Sequence, residues 1–275
     1  SLPPQRMADI ATVSLRRLGR DDASTALSLW PQYKDLPYAE EDRLAITRDI
    51  GVRLAKKVDP AALPFMAAND PQMKDDDVSE WRVRLALRTR QWDTASQLTA
   101  QLPPSLAGQS RWRYWRLRSA QLANNGVGEL VSDYQALAQE RDFYGFLAAE
   151  RARQPYALNH QRASVPEAVM QSVQQDPGTL RAKEFLDRNE VINARREWYH
   201  AGDRFNREQL IAQAVLANQM AWYFPAIRGI SQAQYWDDLD IRFPMAYQQS
   251  IKDQAQSRQI NSTWVYAITR QESAF

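Results

Sequence analysis

The sequence predicts an all-α fold, on three observations. No stretch alternates polar and apolar residues with β-branched side chains for long, so strand signals are missing. Runs rich in Ala, Leu, Gln, Arg and Glu, all good helix formers, fill the chain instead. Glycine is scarce, at 9 of 275 residues, and most of the 14 prolines fall between periodic segments. A chain of this length can form one large domain or two smaller ones with real cores. Its hydrophobic fraction, 44%, and charged fraction, 25%, are ordinary for a globular protein.

Residues 1–165 read as a helical repeat array. Ile50, Trp81, Trp112 and Phe143 recur 31 residues apart. Four residues after each anchor stand Leu54, Leu85, Arg116 and Leu147, followed by Ala55, Ala86, Leu117 and Ala148. A large residue followed by a small one at fixed register lets neighbouring helices nest in a superhelical solenoid. The period leaves room for two helices and their turns. Asp93 to Leu98 starts one of the second helices. Pro103-Pro104, Asn124-Asn125-Gly126 and Gln154-Pro155 mark breaks between units.

Arginine is dense in this array: Arg82, Arg84, Arg88, Arg90, Arg111, Arg113, Arg116 and Arg118 interleave with Trp81, Trp92, Trp112 and Trp115. Such a mixture can follow phosphates and stack on bases. Their spacing places many on outer helix faces, where stems cover apolar surface or stack on Trp. The whole chain carries only +2, from 35 basic and 33 acidic residues. No nucleic-acid partner is therefore expected.

Residues 166–240 read as a helical linker module. Glu184 to His200 forms one helix. A second opens at Asn206 and runs to Met220 or Tyr223, where Pro225 disrupts it. Tyr235 to Asp238 is a loop or short helix end. Trp222, Tyr223, Phe224 and Trp236 read as core rather than as a binding box.

Residues 241–275 hold the sharpest pattern. Ile241-Arg242-Phe243-Pro244 leads into Tyr247, Ile251 and Ala255, four apart on one helical face. Asn261 and Ser262 are good N-cap residues for the helix that follows. On that helix, Glu272 ends a stripe containing Trp264, Val265 and Ile268. A glutamate partly enclosed by such side chains would keep its proton nearer neutral pH and could act as a general acid.

Metal and redox chemistry find no support. The chain has no cysteine, and its two histidines, His160 and His200, are unrelated in position and read as surface residues. No cofactor and no metal site are expected. No apolar run is long enough to span a bilayer, so no stable membrane span is expected. The opening Ser1-Leu2-Pro3-Pro4 carries neither an initiator Met nor an apolar signal segment, and reads as a processed or internal start.

The residues Phe243, Pro244, Tyr247, Ile251, Ala267, Ile268, Arg270, Gln271, Glu272, Ser273, Ala274 and Phe275 resemble the start of the catalytic domain of soluble lytic transglycosylases. Tyr144 to Ala149 and Gln154-Pro155-Tyr156 resemble that family's repeat region. The resemblance implies a periplasmic enzyme with a ring-like helical scaffold, a linker and a goose-lysozyme-like catalytic domain, here only its first helices. It implies exo-type cleavage of the β-1,4 bond between N-acetylmuramic acid and N-acetylglucosamine in peptidoglycan strands, leaving a 1,6-anhydro product. Glu272 matches the single acid/base, and Ser273 matches a residue that helps to hold substrate. Cell-wall synthesis proteins are the implied protein partners. The family's later Gly-Leu-Met-Gln and Ala-Tyr-Asn-Ala-Gly-like stretches, which build the sugar groove, are not in this sequence. The 275-residue chain alone is therefore expected to be inactive or nearly so. A second reading is a non-catalytic helical-repeat scaffold that binds glycan strands or a partner protein.

Overall fold

A computed structural model describes residues 3–123 and 130–273. Every regular element among them is a helix. The chain divides into two compact units, residues 1–158 and 159–275.

The first unit begins with α1 (Pro4–Asp21), α2 (Ala23–Tyr33), α3 (Glu40–Lys56) and α4 (Ala62–Asn69). It continues through α5 (Asp76–Arg88), α6 (Trp92–Ala100), α7 (Pro104–Ala107), α8 (Ser110–Leu122), α9 (Leu130–Leu137) and α10 (Phe143–Ala152). Local chemistry sets several starts. Pro4 opens α1, where a missing N–H costs nothing. The Asp22, Asp75 and Asp142 side chains accept the free N–H groups of α2, α5 and α10. The buried face of α1, Ala8, Ala11, Thr12, Leu15 and Gly19, follows the helical period.

The helices pack as successive hairpins. α1 lies on α2 and α3, α3 on α4 and α5, α5 on α6, α6 on α8, and α8 on α9 and α10. The core is accordingly a succession of clusters. Trp30, Ile46, Ile50, Leu54 and Met66 form one, Val83, Ala86, Leu98 and Trp112 another, and Tyr114, Tyr134, Leu137 and Ala148 a third. Each hairpin buries its apolar face on its neighbours, as repeat architectures require.

The 31-residue register holds at its small position: Ala55, Ala86, Leu117 and Ala148 are all buried. It fails elsewhere. Arg116 is exposed, and the Phe143 anchor is 66% exposed. The anchors fall in mid-helix in α3 and α5 but near the start of α8 and α10, so they face different surroundings. Pro104 opens α7 between α6 and α8, and α10 ends shortly before Gln154-Pro155. The break at Asn124 to Gly126 lies outside the described residues.

The second unit contains α11 (Glu167–Gln174), α12 (Pro177–Asp187), α13 (Val191–Gly202) and α14 (Arg207–Gln219). After these come α15 (Tyr223–Gln232), α16 (Leu239–Arg242), α17 (Gln248–Ser257) and α18 (Ser262–Glu272). α14 is its hub and packs against α11, α13, α15 and α16. Asn206 and Gln209 close a capping box at its start. Gln213 is buried within it but satisfied, donating from Nε2 to the Trp198 carbonyl at 2.9 Å.

Three expectations are corrected here. Glu184 to His200 is two helices, α12 and α13, because Asn189 turns the chain at φ 59°. Pro225 sits in the first turn of α15, where proline is tolerated, so it begins a helix rather than breaking one. Trp222 packs on Trp198 as core, but Trp236 is 46% exposed beneath the Arg242 guanidinium.

Candidate functional site

The motif helix α18 forms as its sequence predicts. The Asn261 side chain accepts from the Thr263 N–H at 2.8 Å and starts it. At its far end the Ser273 N–H and hydroxyl both donate to the Thr269 carbonyl, at 2.8 and 2.9 Å. Ser273 thus closes the last turn beside Glu272 and supplies a partner for an otherwise free helix-end carbonyl.

Two long-range hydrogen bonds fix α18. Tyr266 donates its hydroxyl to the Ala246 carbonyl at 3.1 Å. Arg270 donates from Nε to the Arg242 carbonyl at 2.8 Å, and its guanidinium lies over the Phe243 ring. Burial, followed by the Tyr223 hydroxyl, pushes Tyr266 above its usual pKa, so it stays a donor. A cleft separates α18 from the turn it grips, lined by Arg242, Phe243, Met245, Thr263, Tyr266 and Arg270. Neither Arg242 nor Tyr266 is a site candidate by sequence. Only the proximity of Phe243-Pro244 hinted at the first, and nothing marked the second.

The faces of α18 are therefore unlike. Thr263, Tyr266, Ala267 and Arg270 share the face toward the 242–246 turn, at helical spacing. Trp264, Ile268 and Glu272 lie on another face and are exposed, Trp264 at 61% and Ile268 at 46%. The expected enclosure of Glu272 is thus corrected: no residue of α18 is buried. Tyr247 is corrected too. It is the left-handed N-cap of α17, 71% exposed, and of its expected face only Ala255 is buried. Ala274 and Phe275 lie outside the described residues.

Between Asp253 and Glu272 the sequence has no other carboxylate. Among the described residues no three His, Cys, Asp or Glu side chains gather as metal ligands, and no helix is long and apolar enough to cross a membrane. His160 belongs to another local arrangement. Its Nδ1 accepts the Leu239 N–H at 3.1 Å, and its Nε2 lies 3.6 Å from Asp240.

Comparison with known proteins gives the fold a context. The family model for the L domain of soluble lytic murein transglycosylase matches residues 172–239. The Escherichia coli K12 soluble lytic murein transglycosylase is 28% identical over 268 residues, 97% of this chain and 41% of that protein. A Haemophilus influenzae protein described as a putative soluble lytic murein transglycosylase is 30% identical over 74% of this chain and 33% of its own length. The structure of lytic transglycosylase Slt from Pseudomonas aeruginosa, solved as an inactive Glu-to-Gln mutant, is 55% identical. It covers 98% of this chain and 44% of its own, at a TM-score of 0.83. The 70-kDa soluble lytic transglycosylase in complex with bulgecin A is 25% identical, covering 96% of this chain and 43% of its own, at a TM-score of 0.81. The chain thus spans about two fifths of the length of these solved relatives. By its helical fold, the L-domain match over residues 172–239 and relatives that align with almost its whole length, the chain is similar to the first two fifths of the soluble lytic murein transglycosylases.

Proposed function

We propose that this chain is part of a periplasmic lytic transglycosylase that cleaves the β-1,4 bond between N-acetylmuramic acid and N-acetylglucosamine in peptidoglycan. The observation that carries this reading is Glu272 on the capped, pinned helix α18, in a chain that aligns with lytic transglycosylases over 96–98% of its length. Residues 1–165 then serve as a superhelical repeat domain, 166–240 as the linker and 241–275 as the start of the catalytic domain.

The chemistry needs one carboxyl group. Glycosidases that use water or a covalent intermediate employ two carboxylates. Here Glu272 protonates the glycosidic oxygen as its bond to the muramyl C1 breaks. The resulting carboxylate takes the proton from the muramyl 6-hydroxyl, whose oxygen bonds to C1. The proton is restored to Glu272, the departing sugar gains a 4-hydroxyl, and no water is consumed. Ser273 contacts substrate in this reading. Its hydroxyl would turn from the Thr269 carbonyl to do so. No cofactor takes part, and cell-wall synthesis proteins are the natural protein partners.

The same geometry favours near-inactivity of the isolated chain. Among the described residues Glu272 stands exposed beside an exposed Trp264–Ile268 stripe, without a wall to hold sugar or exclude water. Positioning supplies a large part of any such rate. That exposure is also what favours the second reading, a helical-repeat scaffold that binds glycan strands or a partner without cleaving. Mass analysis of products from purified peptidoglycan separates the two. The full-length gene product is expected to leave muramyl ends lighter by one water than hydrolytic ends. Hydrolytic ends, or no cleavage, would overturn the enzymatic reading.

A further inference from the structure

The repeat unit contains a groove that its packing does not account for. α5, α8 and α10 together form it, from Arg84, Leu87, Arg111, Trp112, Trp115 and Tyr144, around about 280 Å³. That volume lies just below the roughly 300 Å³ at which sites for drug-sized ligands begin, and it suits a single sugar ring.

The walls offer hydrogen-bond donors and ask for acceptors. Arg84 and Arg111 share one oxygen of Glu80, the latter from Nη1 at 3.2 Å, so two cations meet one carboxylate. Most of their N–H groups remain uncommitted to that contact. Arg84 Nε and Trp112 Nε1 are buried and have no acceptor. A ligand carrying oxygen atoms into the groove would meet the accessible guanidinium N–H groups of Arg84 and Arg111, whose side chains are each 38% exposed.

The walls also offer aromatic faces. Trp115 and Tyr144 line the groove and are partly exposed. The negative π-face attracts the weakly positive C–H edge of a pyranose ring.

We propose that this groove binds a carboxylate-bearing sugar residue, its ring against the aromatics and its carboxylate between Arg84 and Arg111. The identity of that sugar as a muramyl residue whose lactyl carboxylate carries no peptide rests on the murein reading above. A nucleic-acid strand would also bring anions and flat rings. It needs a run of unpaired cations, whereas this groove has a surplus of one and the chain a net charge of only +2.

The test uses this chain, with N-acetylmuramic acid and neutral N-acetylglucosamine as probes, followed by the indole N–H resonances and tryptophan fluorescence. N-acetylmuramic acid should shift Trp112 and Trp115 and bind at least about tenfold more tightly than N-acetylglucosamine, as expected for one charge-assisted contact. Arg111→Gln should remove that preference while the melting temperature stays unchanged. Tyr144→Phe, which keeps the ring, should retain it. Equal binding of both sugars, no shift by about 10 mM, or tighter salt-sensitive binding of poly(dT) would overturn the proposal. The enzymatic reading fails separately. Sugar binding by the groove alongside hydrolytic or absent cleavage by the full-length product would sink that reading and leave the groove standing. Anhydro product without sugar binding in the groove would sink only the groove.

Discussion

Arg270 Nε and the Arg242 carbonyl oxygen lie 2.8 Å apart, and this bond ties the helix that carries Glu272 to the turn before α17. Because α18 has no buried residue, this bond and that of Tyr266 carry much of its attachment. Arg270→Ala should loosen the helix by about 1–2 kcal/mol, the worth of a hydrogen bond from a charged donor. Hydrogen exchange should then speed up by about tenfold in α18 and stay unchanged in α14. Unchanged exchange in α18 would show that other contacts hold it.

Gly145 tests a close approach rather than a surface contact. A Cβ built on it would lie 2.0 Å from the Glu140 carbonyl oxygen, which is backbone and cannot swing aside. Gly145→Ala should destabilise the repeat unit by about 1–3 kcal/mol or more, as overpacking does. Gly108→Ala is the control, since its Cβ would meet nothing within 4 Å. Denaturant midpoints of the two variants check the contrast.

Ala221 should give a change of the opposite sign. It holds φ 56° just after α14, while Trp222 N–H reaches back to the Ala217 carbonyl at 2.9 Å. This is the left-handed helix end that glycine favours. Ala221 is exposed, so Ala221→Gly loses no core contact and should stabilise by about 1 kcal/mol. A lowered melting temperature would contradict this reading of the turn.

Asp176 should show in acid. Burial is the largest single influence and pulls its carboxyl upward, but the Thr179 and Gly178 N–H groups and Arg204 together outweigh it and hold it below the ordinary 3.8. Its contribution is therefore fully present above the unfolded value and lost as pH falls through the lower folded value. Asp176→Asn should destabilise by about 1 kcal/mol at pH 7, as loss of a capping charge does, and the difference should shrink below about pH 4. A difference constant with pH would exclude this role.

What was legible in the sequence follows the caps. Asn206 announced α14, and Asn261 announced α18, because a side-chain acceptor just before a helix leaves a local signature. The helix ends were harder to read. α3, α5, α12, α14, α15 and α17 each end on a left-handed residue that is not glycine: Val58, Arg90, Asn189, Ala221, Gln234 and Gln259. In each case the next N–H bonds back to a carbonyl in the last turn, such as Glu190 to Phe185 at 2.8 Å. With glycine so scarce, the usual stop signal is absent, and α12 and α13 read as one helix. The candidate site was half legible. Spacing placed Glu272 after Trp264 and Ile268, but periodicity cannot say whether a second surface covers that stripe. Among the described residues it stays exposed.

In the proposed reading Glu272 is the single acid/base of a water-free cleavage. The direct measurement is release of 1,6-anhydromuramyl products from purified peptidoglycan by the full-length gene product and its Glu272→Gln variant. The variant should retain glycan binding and lose at least about 100-fold in turnover, the smaller end of what a general acid contributes. Turnover of anhydro product unchanged by Glu272→Gln would contradict the account.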